Sequence, residues 1–90
     1  MNSAEKKKWA VVITGPARKS LKRIPSNDQA RVRTVIDEME IDPFQGDVKY
    51  ISGQSTIRRR VGNWRIFFNL EHVERLVVVT AVERRTSTTY

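Results

Sequence analysis

A chain of 90 residues has room for one modest core, and with no cysteine and a single histidine it can form no disulfide, thiolate zinc site or cysteine nucleophile. Its 17 Lys+Arg against 10 Asp+Glu leave a net charge of +7, which makes a polyanion the natural partner, and no apolar run approaches the length of a membrane span. The lysines at 6–8 are followed only by the apolar stretch Trp9 to Ile13, too short for a signal-peptide core, so a cytoplasmic address, no membrane partner and no metal or other cofactor are expected.

In chain order, Trp9 to Thr14 is apolar and β-branched and reads as a buried first strand, closed by Gly15-Pro16. Pro16 suits a first helical turn, and Ala17, Leu21 and Ile24 follow at helical spacing until Pro25. Ser26 with Gln29 has the pattern of a capping box, Ser26 as N-cap and Gln29 reaching back to it. Ala30, Val32, Val35, Ile36 and Met39 then form one stripe, which predicts a helix to about Ile41, stopped by Asp42-Pro43. Beyond it the period changes to two. Val48 to Ile51 is a short strand, and Ile57–Val61, Trp64–Leu70 and Arg75–Val82 are three longer ones, with Gly62-Asn63 as a hairpin turn. No linker or repeat interrupts the chain. The expectation is one α+β domain over residues 1–90, in the order β-α-α-β-β-β, with a helical hairpin on one face of a small, mainly antiparallel sheet.

The charge is unevenly distributed along these elements. It is +6 over residues 1–25, −3 over 26–56 and +4 over 57–90, where every basic residue is arginine. Arginine presents a planar fork of donors that grips phosphate oxygens in bidentate fashion. In a strand, alternate side chains face opposite ways. Trp64, Ile66, Phe68 and Leu70 suit the core, so Arg65, Phe67 and Asn69 lie on the other face. Ile57 and Val61 likewise turn Arg58 and Arg60 outward, while Arg59 alternates away toward an edge or solvent. A hairpin at Gly62-Asn63 then gathers Arg58, Arg60 and Arg65 on one open surface, with Phe67 among them as a stacking platform for a base. Arg84 and Arg85 follow the last strand, and Tyr90 can fold back onto the same face. The plainer alternative is a solvated basic sheet face with one incidental aromatic.

The run Ile57-Arg58-Arg59-Arg60-Val61-Gly62-Asn63-Trp64-Arg65-Ile66 resembles the R-x-R-V-G-[D/N]-[Y/W]-R-[I/V] hairpin of RelE/ParE-type toxins. Ala17 to Pro25 is similar to the A-x-K-x-L-x-x-L-P helix of that family, and Asp42-Pro43-Phe44 with Lys49 to Gly53 is similar to its D-P-…-K-x-L-x-G stretch. Val82-Glu83-Arg84-Arg85 with Tyr90 resembles its V-x-x-R-…-Y ending. The resemblance implies the toxin of a type II toxin–antitoxin pair. RelE-like toxins cut messenger RNA in the ribosomal A site, whereas ParE-like toxins share the fold and poison DNA gyrase. Carried over by position, it implies a working set of Arg58, Arg60, Arg65, Arg84 and Tyr90, with Lys49, Phe67 and Arg85 as substrate-binding residues. Arg85 competes with Arg84 for the post-strand role, and Glu83 stands where the family often has a histidine. The implied partners are a cognate antitoxin wrapped in the groove between helices and sheet, the mRNA and ribosome, and operator DNA only through the antitoxin complex.

RNA can be cut without metal by attack of the ribose 2′-OH on the adjacent phosphate. The protein must align that hydroxyl, offset charge on phosphorus and move protons. Arginine is a clamp rather than a proton carrier. That leaves Tyr90, whose phenol the surrounding cations would lower from its ordinary pKa of about 10, as base, acid or stacking residue. His72 reads as a surface residue in a turn with no catalytic role. Asp37, Glu38, Glu40, Asp42 and Asp47 are expected to keep their end of the helix away from RNA. The leading expectation is a ribosome-dependent mRNA endoribonuclease; the rivals are a ParE-like gyrase inhibitor and an inactive basic binding module.

Overall fold

The computed structural model describes residues 8–51, 53 and 55–85. Strand β1 (Ala10–Ile13) enters helix α1 (Gly15–Arg23) through Thr14, whose hydroxyl accepts from the Ala17 N–H at 3.4 Å and donates to the Thr80 carbonyl at 3.3 Å. One short polar side chain thus caps the helix and ties its start to the sheet. Helix α2 (Ser26–Glu38) follows after Ile24 and Pro25 alone.

That short connection changes the expected cap. Pro25, not Ser26, is the N-cap of α2, its carbonyl accepting from the Gln29 N–H at 2.8 Å, and no side chain caps the helix. The Gln29 amide instead donates to the carbonyls of Leu21 at 2.8 Å and Ile24 at 3.4 Å. The last carbonyls of a helix have no partner within it. Here they lie within reach of α2 because only two residues separate the helices, so Gln29 closes the end of α1. Helix α2 also ends three residues earlier than its stripe suggests. Met39 to Ile41 form a tightened final turn, in which the Ile41 N–H donates to the Glu38 carbonyl at 3.0 Å.

The remaining strands are β2 (Val48–Tyr50), β3 (Ile57–Val61), β4 (Trp64–Glu71) and β5 (Leu76–Arg84). They form one five-stranded sheet in the order β1-β5-β4-β3-β2, antiparallel except where β1 runs parallel to β5. The α+β class and the helical hairpin on one face are as expected. The order gains one strand, because Val48–Tyr50 pairs along the β3 edge with Lys49 opposite Arg58. Gly62 has φ +58° at the first central position of the β3–β4 turn, the backbone of a tight primed turn whose twist matches the strands. Thr80 is an extra residue in β5, where the register shifts between Phe67 and Phe68, and its hydroxyl donates to the Phe67 carbonyl at 3.3 Å.

The core lies between the helices and one sheet face. Ala17, Leu21, Ile24, Val32, Val35, Ile36 and Met39 meet Ile57, Val61, Ile66, Phe68, Val77, Val79 and Val82, all buried. Ala30, expected in the stripe, is exposed beside the β3 edge. Among the described residues no helix is long and apolar enough to cross a membrane. Because the helices cover one face only, the period-two partners of the core residues form an open second face.

Candidate functional site

The pairing registers arrange the open face in rows across the strands. Arg60 on β3 stands opposite Arg65 on β4, which stands opposite Glu83 on β5. The next row is Lys49, Arg58, Phe67 and Ala81, and Asn69 opposite Val78 lies beyond it. Arg58, Arg60, Arg65, Phe67 and Asn69 are each half-buried, while Lys49 is exposed. Side chains directly opposite on neighbouring strands have Cβ atoms about 5 Å apart, and like charges there repel. The Arg60–Arg65 pair is therefore an electrostatically costly arrangement. It is offset in part by Asp47, whose carboxylate is 3.8 Å from the Arg60 guanidinium and whose carbonyl accepts from the Arg60 N–H at 2.9 Å.

Hydrogen bonding on this face is incomplete in a consistent way. The Nε atoms of Arg58, Arg60 and Arg65, like that of Arg59 on the helix side, are shielded from solvent and have no hydrogen-bond partner. A shielded donor without an acceptor costs free energy, more so on a charged group. An anion laid across these two rows would bring acceptors to the three guanidiniums and relieve the repulsion between Arg60 and Arg65. Chemically, the face can hold an anion such as phosphate, with an aromatic ring next to Arg58.

Not every expected residue joins it. Arg84 is two residues beyond buried Val82 on a continuous strand, so alternation turns it to the helix side of the sheet, where its guanidinium sits 5.7 Å from the Trp64 ring centroid. The expectation that Arg84 shares the face of Arg58, Arg60 and Arg65 is corrected, because strand β5 runs on through the position taken as post-strand. Arg85 lies one residue past the end of β5, against the β3–β4 turn. Its N–H donates to the Asn63 carbonyl at 2.6 Å, and its guanidinium reaches the Gly62 carbonyl at 3.4 Å. Arg59 lies on the helix side of β3, paired between Val48 and Ile66, donating to the Gln45 carbonyl at 2.8 Å, and a Cβ on Gly46 would collide with its guanidinium. Tyr90 lies outside the described residues.

His72 is exposed in the β4–β5 turn, beyond the Asn69 row and away from Arg60 and Arg65. Its ring meets that of Trp9 edge-on at 6.0 Å, with Phe44 edge-on to Trp9 at 6.3 Å and the Arg75 guanidinium 4.8 Å from the Trp9 centroid. Asp47, which the sequence places in an acidic stretch remote from the arginines, is a neighbour of Arg60 instead. Only the β2–β3 pairing brings it there. Trp64 also braces the hairpin that carries Arg60 and Arg65, a part that its place in the strand pattern does not reveal. Its indole N–H donates to the Asp28 carboxylate on α2 at 3.0 Å. On the helix side an open cleft of about 530 Å3 runs between α2 and β3, lined by Ala30, Arg31, Thr34, Arg59, Val61 and Gly62 among others.

No protein-family model matches the sequence, and no curated protein matches it significantly. Solved structures do match in fold. The RelBE2 toxin–antitoxin complex from Mycobacterium tuberculosis is 22% identical, covering 87% of this chain and 99% of that one, with a TM-score of 0.78. The archaeal RelE–RelB complex from Pyrococcus horikoshii is 20% identical over 90% of this chain and 99% of its own, with a TM-score of 0.79. A YoeB/ParE toxin from Agrobacterium tumefaciens is 14% identical over 86% of this chain and 99% of its own, with a TM-score of 0.72. At such identities the likeness is one of backbone architecture, and it extends over nearly the whole length of each chain. The chain has the RelE-like toxin fold.

Proposed function

We propose that this protein is the toxin of a toxin–antitoxin pair and a ribosome-dependent mRNA endoribonuclease. The observation that carries the reading is the cluster of Arg58, Arg60 and Arg65 beside Phe67 on one open sheet face, each arginine with an unpaired Nε, on a RelE-like fold. In the reaction the ribose 2′-oxygen attacks the adjacent phosphorus and the bond to the 5′-oxygen breaks, leaving a 2′,3′-cyclic phosphate and a 5′-hydroxyl. Arg58, Arg60 and Arg65 hold the phosphate and offset the charge that builds on its oxygens, which is where fixed donors lower a barrier most. Arg85 is the post-strand arginine of the working set, since it follows the end of β5 at the turn that leads into Arg65, whereas Arg84 is turned to Trp64. Tyr90 exchanges the proton, being the one group of the set able to do so, and Lys49 and Phe67 bind the flanking nucleotides. The cognate antitoxin is an acidic or amphipathic segment in the cleft between α2 and β3, where Arg31 and Arg59 would meet its carboxylates. DNA contact occurs only through that complex.

The likeness to a YoeB/ParE toxin keeps a second reading in view, a gyrase inhibitor that uses the same sheet without cleaving RNA. One experiment separates the two. The protein is induced in cells, translation and DNA replication are followed in parallel, and mRNA ends are mapped. New ends within translated codons and an early stop in translation are expected, both lost in Tyr90→Phe. An intact transcript pool with DNA damage would refute the nuclease.

A further inference from the structure

One unsatisfied group on the open face differs in kind from the rest. The arginine Nε atoms are donors, but the Asn69 side-chain oxygen is an acceptor, equally shielded and equally without a partner. Phosphate has no hydrogen to give and would leave it unpaired, so a ligand that completes this face must carry a donor as well as an anion. Asn69 is on the strand of Arg65 and Phe67, and the three follow one another on one face at two-residue steps. Each step advances about 7 Å along the strand. A nucleotide with its phosphate at Arg65 and its base on Phe67 thus brings the edge of that base to Asn69. The ribose hydroxyl, between phosphate and base, falls short of it.

We propose that Asn69 reads the base stacked on Phe67 and selects one with an exocyclic amine beside a ring acceptor. The Asn69 oxygen accepts from the amine, and its NH2 donates to the ring nitrogen. On the edges away from the ribose, adenine fits twice and cytosine once, whereas guanine sets its amine beside a ring acceptor only on the edge next to the ribose, which falls short of Asn69. Asparagine pairs with adenine in this bidentate manner elsewhere. This inference rests on the nuclease reading above and adds to it a residue that sets base preference. Asn69→Asp keeps the shape but replaces the amide donor by a second acceptor, which suits the adjacent N–H donors of guanine.

The test uses the full-length protein on ribosomes programmed with messages that differ in one base of the A-site codon, scored for cleavage at that codon. The parent is expected to cut messages with adenine or cytosine at one codon position at least about tenfold faster than the others. Asn69→Asp should shift that preference to guanine, and Asn69→Ala should flatten it by lowering cleavage of the adenine and cytosine messages to the rate of the others. Unchanged preference in Asn69→Asp, or uniform cleavage by the parent, overturns the assignment while leaving the nuclease intact. Failure of the parent to cut any message overturns the reading on which it rests. A purely structural role for Asn69 would lower all rates together without reordering the bases, and that outcome also overturns it.

Discussion

The arginines of this chain are alike in chemistry and differ in surroundings by the face on which each stands. Arg65 is half-buried, its Nε–H unpaired, between Arg60 on one strand and Glu83 on the other. Such a group is expected to gain most from a phosphate in its transition state. Arg65→Ala should raise the barrier by at least about 3 kcal/mol, read as single-turnover cleavage on programmed ribosomes. The pair at the end of β5 gives a sharper contrast. Arg85→Ala should lower cleavage more than tenfold and, by freeing the Gly62 carbonyl, cost no more than about 1 kcal/mol in urea unfolding. Arg84→Ala, which removes a cation from the Trp64 face, should leave the cleavage rate near parental and cost about 0.5–1 kcal/mol of stability in urea. The reverse ranking would return the working role to Arg84. Period-two patterning makes Arg58, Arg60 and Arg65 readable from sequence because buried Ile57, Val61, Ile66 and Phe68 bracket them. It misleads at Arg84, where spacing alone does not say whether the strand has ended.

At the scale of elements, the β3–β4 hairpin is the part that needs support. It carries three cations on a face with few counter-ions, so its geometry is held from the other side. Trp64 packs against the core and bonds to Asp28 on α2, Val61 is buried, and Arg85 grips the turn through the carbonyls of Gly62 and Asn63. Trp64→Phe keeps most of the apolar area and removes the indole N–H. It should cost about 1 kcal/mol in urea unfolding and lower cleavage beyond what that loss explains, because Arg65 is the next residue in the strand. An unchanged unfolding midpoint would show that the Asp28 bond contributes nothing. The hairpin itself is legible as a Gly-Asn turn between two strand-like runs. Its brace is not, since Asp28 and Trp64 are 36 residues apart and no local pattern links them. The cap of α2 departs from its sequence pattern for a related reason: the Gln29 amide bonds to the Leu21 and Ile24 carbonyls at the end of α1, which only the short connection between the helices brings within its reach.

For the whole molecule, the division of charge follows the two faces of the sheet. Arg58, Arg60 and Arg65 occupy the open side, and Arg31 and Arg59 border the cleft on the helix side. Each phosphate neutralised on single-stranded nucleic acid contributes about −0.7 to the slope of log K against log salt. Binding of a fluorescent single-stranded RNA should therefore weaken with salt at a slope of about −2 for three contacts, and Arg58→Ala should reduce its steepness by about 0.7. Arg31→Ala, on the other side, should leave the slope as it is. A slope that falls equally in both variants would mean that charge acts diffusely, without a defined face.

Hydrophobic period and local turn chemistry suffice to specify the α+β class, the helical hairpin, the strand runs and the outward set of Arg58, Arg60 and Arg65. All of these can be read along the chain before any residue meets a distant one. Folding adds what those patterns leave open: Val48–Tyr50 joins as an edge strand, Asp47 approaches Arg60, Arg84 turns to Trp64 while Arg85 meets the β3–β4 turn, and Asn69 keeps an unpaired acceptor. These depend on pairing register and on contacts between residues far apart in the chain, which a one-dimensional pattern does not encode.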